Sequence, residues 1–73
     1  MEELTYKSIM NDKERFDQFI ALEDIKAQIK SVEKIDTAGA QIILGLLKEE
    51  KIELSDLSDH VQNELLFLGV NNG

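Results

Sequence analysis

Hydrophobic and polar positions divide the chain into short segments of changing period. Leu4-Thr5-Tyr6-Lys7-Ser8-Ile9 half-alternates and carries Thr, Tyr and Ile, which predicts a strand. Asn11 or Asp12 can cap a helix, and Phe16, Phe19 and Ile20 then recur at helical spacing, with an end near Leu22 or Glu23. Further on, Asp36 or Thr37 caps a helix whose face holds Ala40, Ile43, Leu44 and Leu47. Ile42 and Leu46 widen that stripe, as suits a helix packed on a sheet and also touching a neighbour. Gly45 inside it costs about 1 kcal/mol relative to Ala, a cost that close approach of another backbone would explain. Lys48-Glu49-Glu50-Lys51 ends the helix at the surface, and Ile52-Glu53-Leu54-Ser55 alternates again as a short strand. Ser58 caps a last helix with Asp59 in its first turn and Val61, Leu65 and Leu68 on one face. Leu66 or Phe67 is left over for an interface, Gly69 is the expected left-handed cap, and Val70-Asn71-Asn72-Gly73 is expected to fray.

Between these segments the pattern has two readings. Ile25, Ala27 and Ile29 alternate with Lys26, Gln28 and Lys30, as in a half-buried strand. Phe16, Ile20, Ile25, Ile29, Val32 and Ile35 also line one long helix, and no Gly or Pro interrupts Asn11 to Asp36. The first reading gives the order β-α-β-α-β-α. That is an α/β domain with a mainly parallel sheet of about three strands, helices packed on it and right-handed crossovers. The second gives a helical oligomerisation module, marked by circular dichroism with no strand contribution.

Composition narrows the function. The 73 residues suffice for one small domain, which hides only about 60% of the surface its unfolded chain exposes. With no cysteine for a disulfide and one histidine, association with another chain is the remaining common staple. Absence of cysteine fits a reducing cytoplasm. The net charge is −7 with no cluster of Lys and Arg, which argues against nucleic acid and against an anionic membrane surface. No apolar run approaches the roughly 20 residues of a membrane span, and Met1-Glu2-Glu3 lacks the start of a signal peptide. A soluble cytoplasmic protein with a neutral or basic partner is expected. There is no glycine-rich phosphate loop, no Ser/His/Asp set and no metal-ligand spacing. No cofactor and no catalysis are therefore expected, His60 reads as a surface residue, and Glu49-Glu50 and Asp56 with Asp59 read as solvated charge.

One stretch points further. In Lys34-Ile35-Asp36-Thr37-Ala38-Gly39-Ala40-Gln41 an apolar residue leads into Asp-Thr, then small residues, then the apolar run Ile42-Ile43-Leu44. It resembles the signature turn of the STAS family, the domain of anti-sigma-factor antagonists. The resemblance runs from about Ile25 to Val70, through the strand Ile52–Ser55, the helix opened by Ser58 and Leu68-Gly69-Val70. It implies a shortened STAS-like domain, since family members usually begin with a strand pair, often end with a further strand, and carry a glycine in the loop that here runs from Leu47 to Ile52. It also favours helix-then-strand for residues 12 to 35. A three-stranded sheet of this kind has exposed edges, and a homodimer or a partner is expected on them.

The resemblance implies a regulatory protein-binding module that docks through Asp36, Thr37, Ala38, Gly39 and Gln41. In sigma-factor-regulating members the hydroxyl residue after the turn aspartate is phosphorylated by a partner kinase, and Thr37 occupies that place. The partner implied is a kinase-type anti-sigma factor or, in transport-type relatives, the ATPase of an ABC-type lipid transporter. Simpler roles stand beside these. Asp36 or Thr37 caps the helix, the bare turn Ala38-Gly39-Ala40 lets the helix sit close on its own sheet, and Gln41 is solvated.

Overall fold

The first helix begins earlier than the pattern predicts, because Thr5 and Ser8 cap it reciprocally. The Ser8 amide donates to Thr5 Oγ1 at 3.2 Å and the Thr5 amide donates to Ser8 Oγ at 2.9 Å. This pair is a capping box, and it outweighs the β-preference of Thr, Tyr and Ile. The Thr5 hydroxyl, although buried, is satisfied by donating to Glu3 Oε2 at 2.6 Å. The expected strand Leu4–Ile9 is thus reduced to Glu3–Leu4, followed directly by a helix.

The computed structural model describes residues 1–68. In chain order the elements are β1 (Glu3–Leu4), α1 (Tyr6–Asn11), α2 (Lys13–Ile20), α3 (Ile25–Gln28), β2 (Lys34–Ile35), α4 (Thr37–Lys48) and α5 (Asp59–Phe67). Short 3-10 turns cover Ile29–Ser31 and Leu54–Asp56. Helix dominates, and β1 and β2 form a parallel pair with Glu3 opposite Lys34 and Leu4 opposite Ile35. Strands of two residues offer little template for pairing with another chain, so the edge-based reason for a homodimer falls away.

Asp12 caps α2 by accepting the Arg15 amide at 3.0 Å, as expected. Neither reading of residues 25 to 35 survives intact. Ile25 and Ile29 are buried while Ala27 is exposed, a spacing of four that places them on one face of a helical turn. The long helix is interrupted at residues 21 to 24, where Leu22 donates to the Phe19 carbonyl and Ile25 to that of Leu22. A second interruption follows Ser31, where Val32 is extended.

The predicted strand Ile52–Ser55 is also absent. The Glu53 amide donates to Asp56 Oδ2 at 2.8 Å, closing a 3-10 turn that Lys26 anchors from α3 through an ion pair to Asp56 at 2.8 Å. Among the described residues the sheet therefore has two strands, not three.

The core draws on most of the elements, although α1 buries no residue fully. Leu4, Ile29, Val32, Ile43, Leu57 and Val61 are its most deeply buried large side chains, with Phe19 contributed by α2. α4 buries Gly39, Ala40, Ile43 and Leu46, while Ile42, Leu44 and Leu47 are half-buried. Ser58 caps α5 by accepting the Val61 amide at 3.2 Å, and its hydroxyl donates to the Val32 carbonyl at 3.1 Å. Val61 and Leu65 are buried, whereas Leu66 and Phe67 are exposed. The expected Gly69 cap and the tail from Val70 lie outside the described residues.

The missing loop glycine has a structural counterpart. α4 ends in a Schellman pattern, with Lys51 N–H donating to the Leu46 carbonyl at 3.0 Å and Glu50 N–H to that of Leu47 at 3.1 Å. This places Glu50 at φ 60°, a left-handed conformation that costs an L-residue roughly 1–2 kcal/mol. Glu50→Gly should raise stability by about 1 kcal/mol, read as a higher urea midpoint at unchanged slope. A lower midpoint would contradict this account of the turn.

A candidate docking site at the tip of α4

β2 stops at Ile35, Asp36 is extended at φ −123° and ψ −167°, and α4 starts at Thr37. The Asp36 carboxylate accepts the Gly39 amide on Oδ1 at 3.0 Å, the usual N-cap bond. Its other oxygen, Oδ2, accepts the amide of Tyr6, the first residue of α1, at 2.9 Å. One carboxylate therefore closes the N-terminal ends of two helices and fastens the tip of α4 to the start of the chain. Partial burial works against its charged form, but the amides of Gly39 and Tyr6 outweigh that, and the Asp36 carboxyl lies below the ordinary carboxylate range. The Tyr6 bond spans 30 positions, and no local pattern in the sequence signals it.

The five residues singled out in the sequence separate into different roles. Thr37 and Gln41 are exposed, Asp36 and Ala38 are half-buried, and Gly39 is buried. The cap is Asp36, so Thr37 is the first helical residue with its side chain at the surface. Gly39 packs inside the protein rather than standing at the surface of the tip. A Cβ there would sit 1.8 Å from the Leu4 carbonyl oxygen and 3.2 Å from Ile35 Cβ. Its bare face is filled by β1, so the close-packing role of the small residues applies to Gly39. Gly45, by contrast, has nothing within 4 Å of where its Cβ would be, which removes the close approach expected there.

The exposed part of the tip therefore consists of Thr37, Gln41 and the edge of Ala38, with Tyr6 beside them in sequence-distant register through the Asp36 bond. Tyr6 is 62% exposed. The tip offers a free hydroxyl at the positive end of a helix dipole, next to a carboxylate already committed to backbone amides. A few other titratable groups form surface pairs. His60 lies 3.8 Å from Glu64, and hydrogen bonding to Lys26 lowers the pKa of Asp56. Among the described residues no group of three or more His, Cys, Asp or Glu is placed to hold a metal ion, and no helix is long and apolar enough to cross a membrane.

Comparison with family models, curated proteins and solved structures returns no match for this chain.

Proposed function

We propose that the chain is a non-enzymatic, STAS-like regulatory module that binds a protein partner through the exposed tip of α4, with Thr37 as its switch. The observation that carries this reading is the handover from β2 through Asp36 to α4, which leaves the Thr37 hydroxyl exposed on a firmly anchored turn. The partner is a kinase-type anti-sigma factor. Phosphate on Thr37 would add about −1.5 to −2 charges beside Asp36, which disfavours a partner docked over the same turn. The helix itself tolerates that charge, because a negative group in the first turn is favoured by the dipole.

Capture of the partner from the native cell, followed by phosphopeptide mapping, identifies both halves of the switch. With the partner in hand, Thr37→Glu should fold normally and weaken binding by about tenfold or more, whereas Thr37→Val should not reproduce that loss through charge. Full binding by Thr37→Glu would remove phospho-control. If the captured protein is then a transporter ATPase, the same surface serves as an accessory-subunit contact that needs no phosphate.

A further inference from the structure

All 15 acidic residues of the chain lie outside two of its helices. Neither α1 nor α4 contains an Asp or a Glu, and their two charged side chains, Lys7 and Lys48, are both basic. α1 packs against α4, which sets the two carboxylate-free helices side by side on a chain of net charge −7. The carboxylate at their junction, Asp36, is turned onto the amides of Gly39 and Tyr6. Acidic residues resume at Asp12 and Glu49, just past the two helix ends. The exposed side chains on this pair of helices have the composition of an interface. Tyr6 and Met10, four apart and so on one side of α1, are 62% and 52% exposed. On α4, Thr37, Gln41 and Gly45 form an exposed row at the same spacing, with half-buried Leu44 beside it. Nothing lies within 4 Å of where a Gly45 Cβ would stand, so no neighbour inside the chain accounts for a glycine in mid-helix.

We propose that this face binds a second copy of the chain, as a two-fold dimer in which α1 and α4 of one protomer meet the same helices of the other. Charge selects the occupant. Two chains of net charge −7 repel one another through most of their surfaces, whereas these faces meet without setting carboxylate against carboxylate. Lys7 and Lys48 are the charges the two helices bring, and they complement the acidic surface of the other copy. Tyr6 and Met10 supply the aromatic and thioether contacts that interface cores favour, and bare Gly45 lets the second backbone come close. This reason for a dimer does not depend on sheet edges, and it does not rest on the reading of Thr37.

The test is sedimentation of the full chain from about 1 μM to about 1 mM. Monomers should give way to dimers, with a dissociation constant between about 1 and 100 μM, as befits a small interface. Amide resonances that move on dilution should belong to residues 6 to 11 and 37 to 48. Gly45→Glu fits the open space, improves helix propensity and places a carboxylate on the face, and it should weaken the dimer about tenfold or more. Met10→Ser should weaken it about fivefold. Gln18→Glu, the same charge change at an exposed position of α2, should alter it by less than about twofold. A monomer throughout the range would overturn the proposal, as would equal losses from Gly45→Glu and Gln18→Glu. So would association that Phe67→Ser abolishes and Gly45→Glu leaves intact, because exposed Leu66 and Phe67 on α5 would then be the contact.

Discussion

Gly39→Ala is expected to destabilise the protein by about 3 kcal/mol or more, while the same change at Gly45 in the same helix stabilises it by about 1 kcal/mol. At position 39 the new methyl would lie 1.8 Å from a backbone oxygen of Leu4, a residue that is itself fully buried and paired with β2. Ordinary contact requires more than 3 Å, so α4 must lift off β1 by more than an ångström or β1 must leave the sheet. The Asp36 bridge to Tyr6 spans the same junction and would be strained by either movement. Helix propensity favours Ala at both positions by about 1 kcal/mol, which decides the outcome only where space is open, as it is at Gly45. A domain of this length holds roughly 4–11 kcal/mol in total, so the loss at Gly39 is a large share of it. Urea unfolding of both variants checks the pair, and a Gly39→Ala midpoint at or above that of the unaltered protein would contradict the packing described.

Replacement of Asp36 should have the next largest effect. Asp36→Ala removes acceptors from two helix starts at once and should cost about 2–3 kcal/mol, above the roughly 1 kcal/mol of a single cap. Asp36→Asn keeps one carbonyl acceptor and should lose less. The pH dependence has a definite sign. The folded-state pKa of Asp36 is depressed by the Gly39 and Tyr6 amides, so its contribution is fully present above the unfolded value near 3.9. It is lost as pH falls from there through the folded pKa. In Asp36→Asn that part of the acid destabilisation should be missing, as measured by urea midpoints between about pH 5 and pH 2. An unchanged acid slope in Asp36→Asn would show that the carboxylate is not held this way.

The sequence was readable wherever a polar cap met a helical apolar stripe. Asp12, Asp36 and Ser58 each accept an amide three residues on, and the helices after them bury faces set by Phe19, by Ala40 and Ile43, and by Val61 and Leu65. Alternation by itself does not mark a strand in this chain. Leu4–Ile9 and Ile52–Ser55 have alternating patterns, yet side-chain acceptors at Ser8 and Asp56 close tight turns that compete with a ladder. Alternation at Ile25, Ala27 and Ile29 was equally deceptive, because two isoleucines four apart fit one helical turn as well as one strand face. At the site, a helix cap at Asp36 or Thr37 follows from the local pattern, and the structure assigns it to Asp36. The Tyr6 contact and the burial of Gly39 under Leu4 do not follow from that pattern, since both depend on where residues 3 to 6 return in space.

The central structural claim is that one carboxylate caps α4 and also accepts the first amide of α1, and so builds the tip that carries Thr37. It is tested most directly by following backbone amide resonances during an acid titration. The amide protons of Tyr6 and Gly39 should move together, with a shared midpoint below the ordinary aspartate range, and both responses should vanish in Asp36→Asn. Movement of Gly39 alone, with Tyr6 indifferent to the titration, would leave α4 with an ordinary cap and contradict the joined tip.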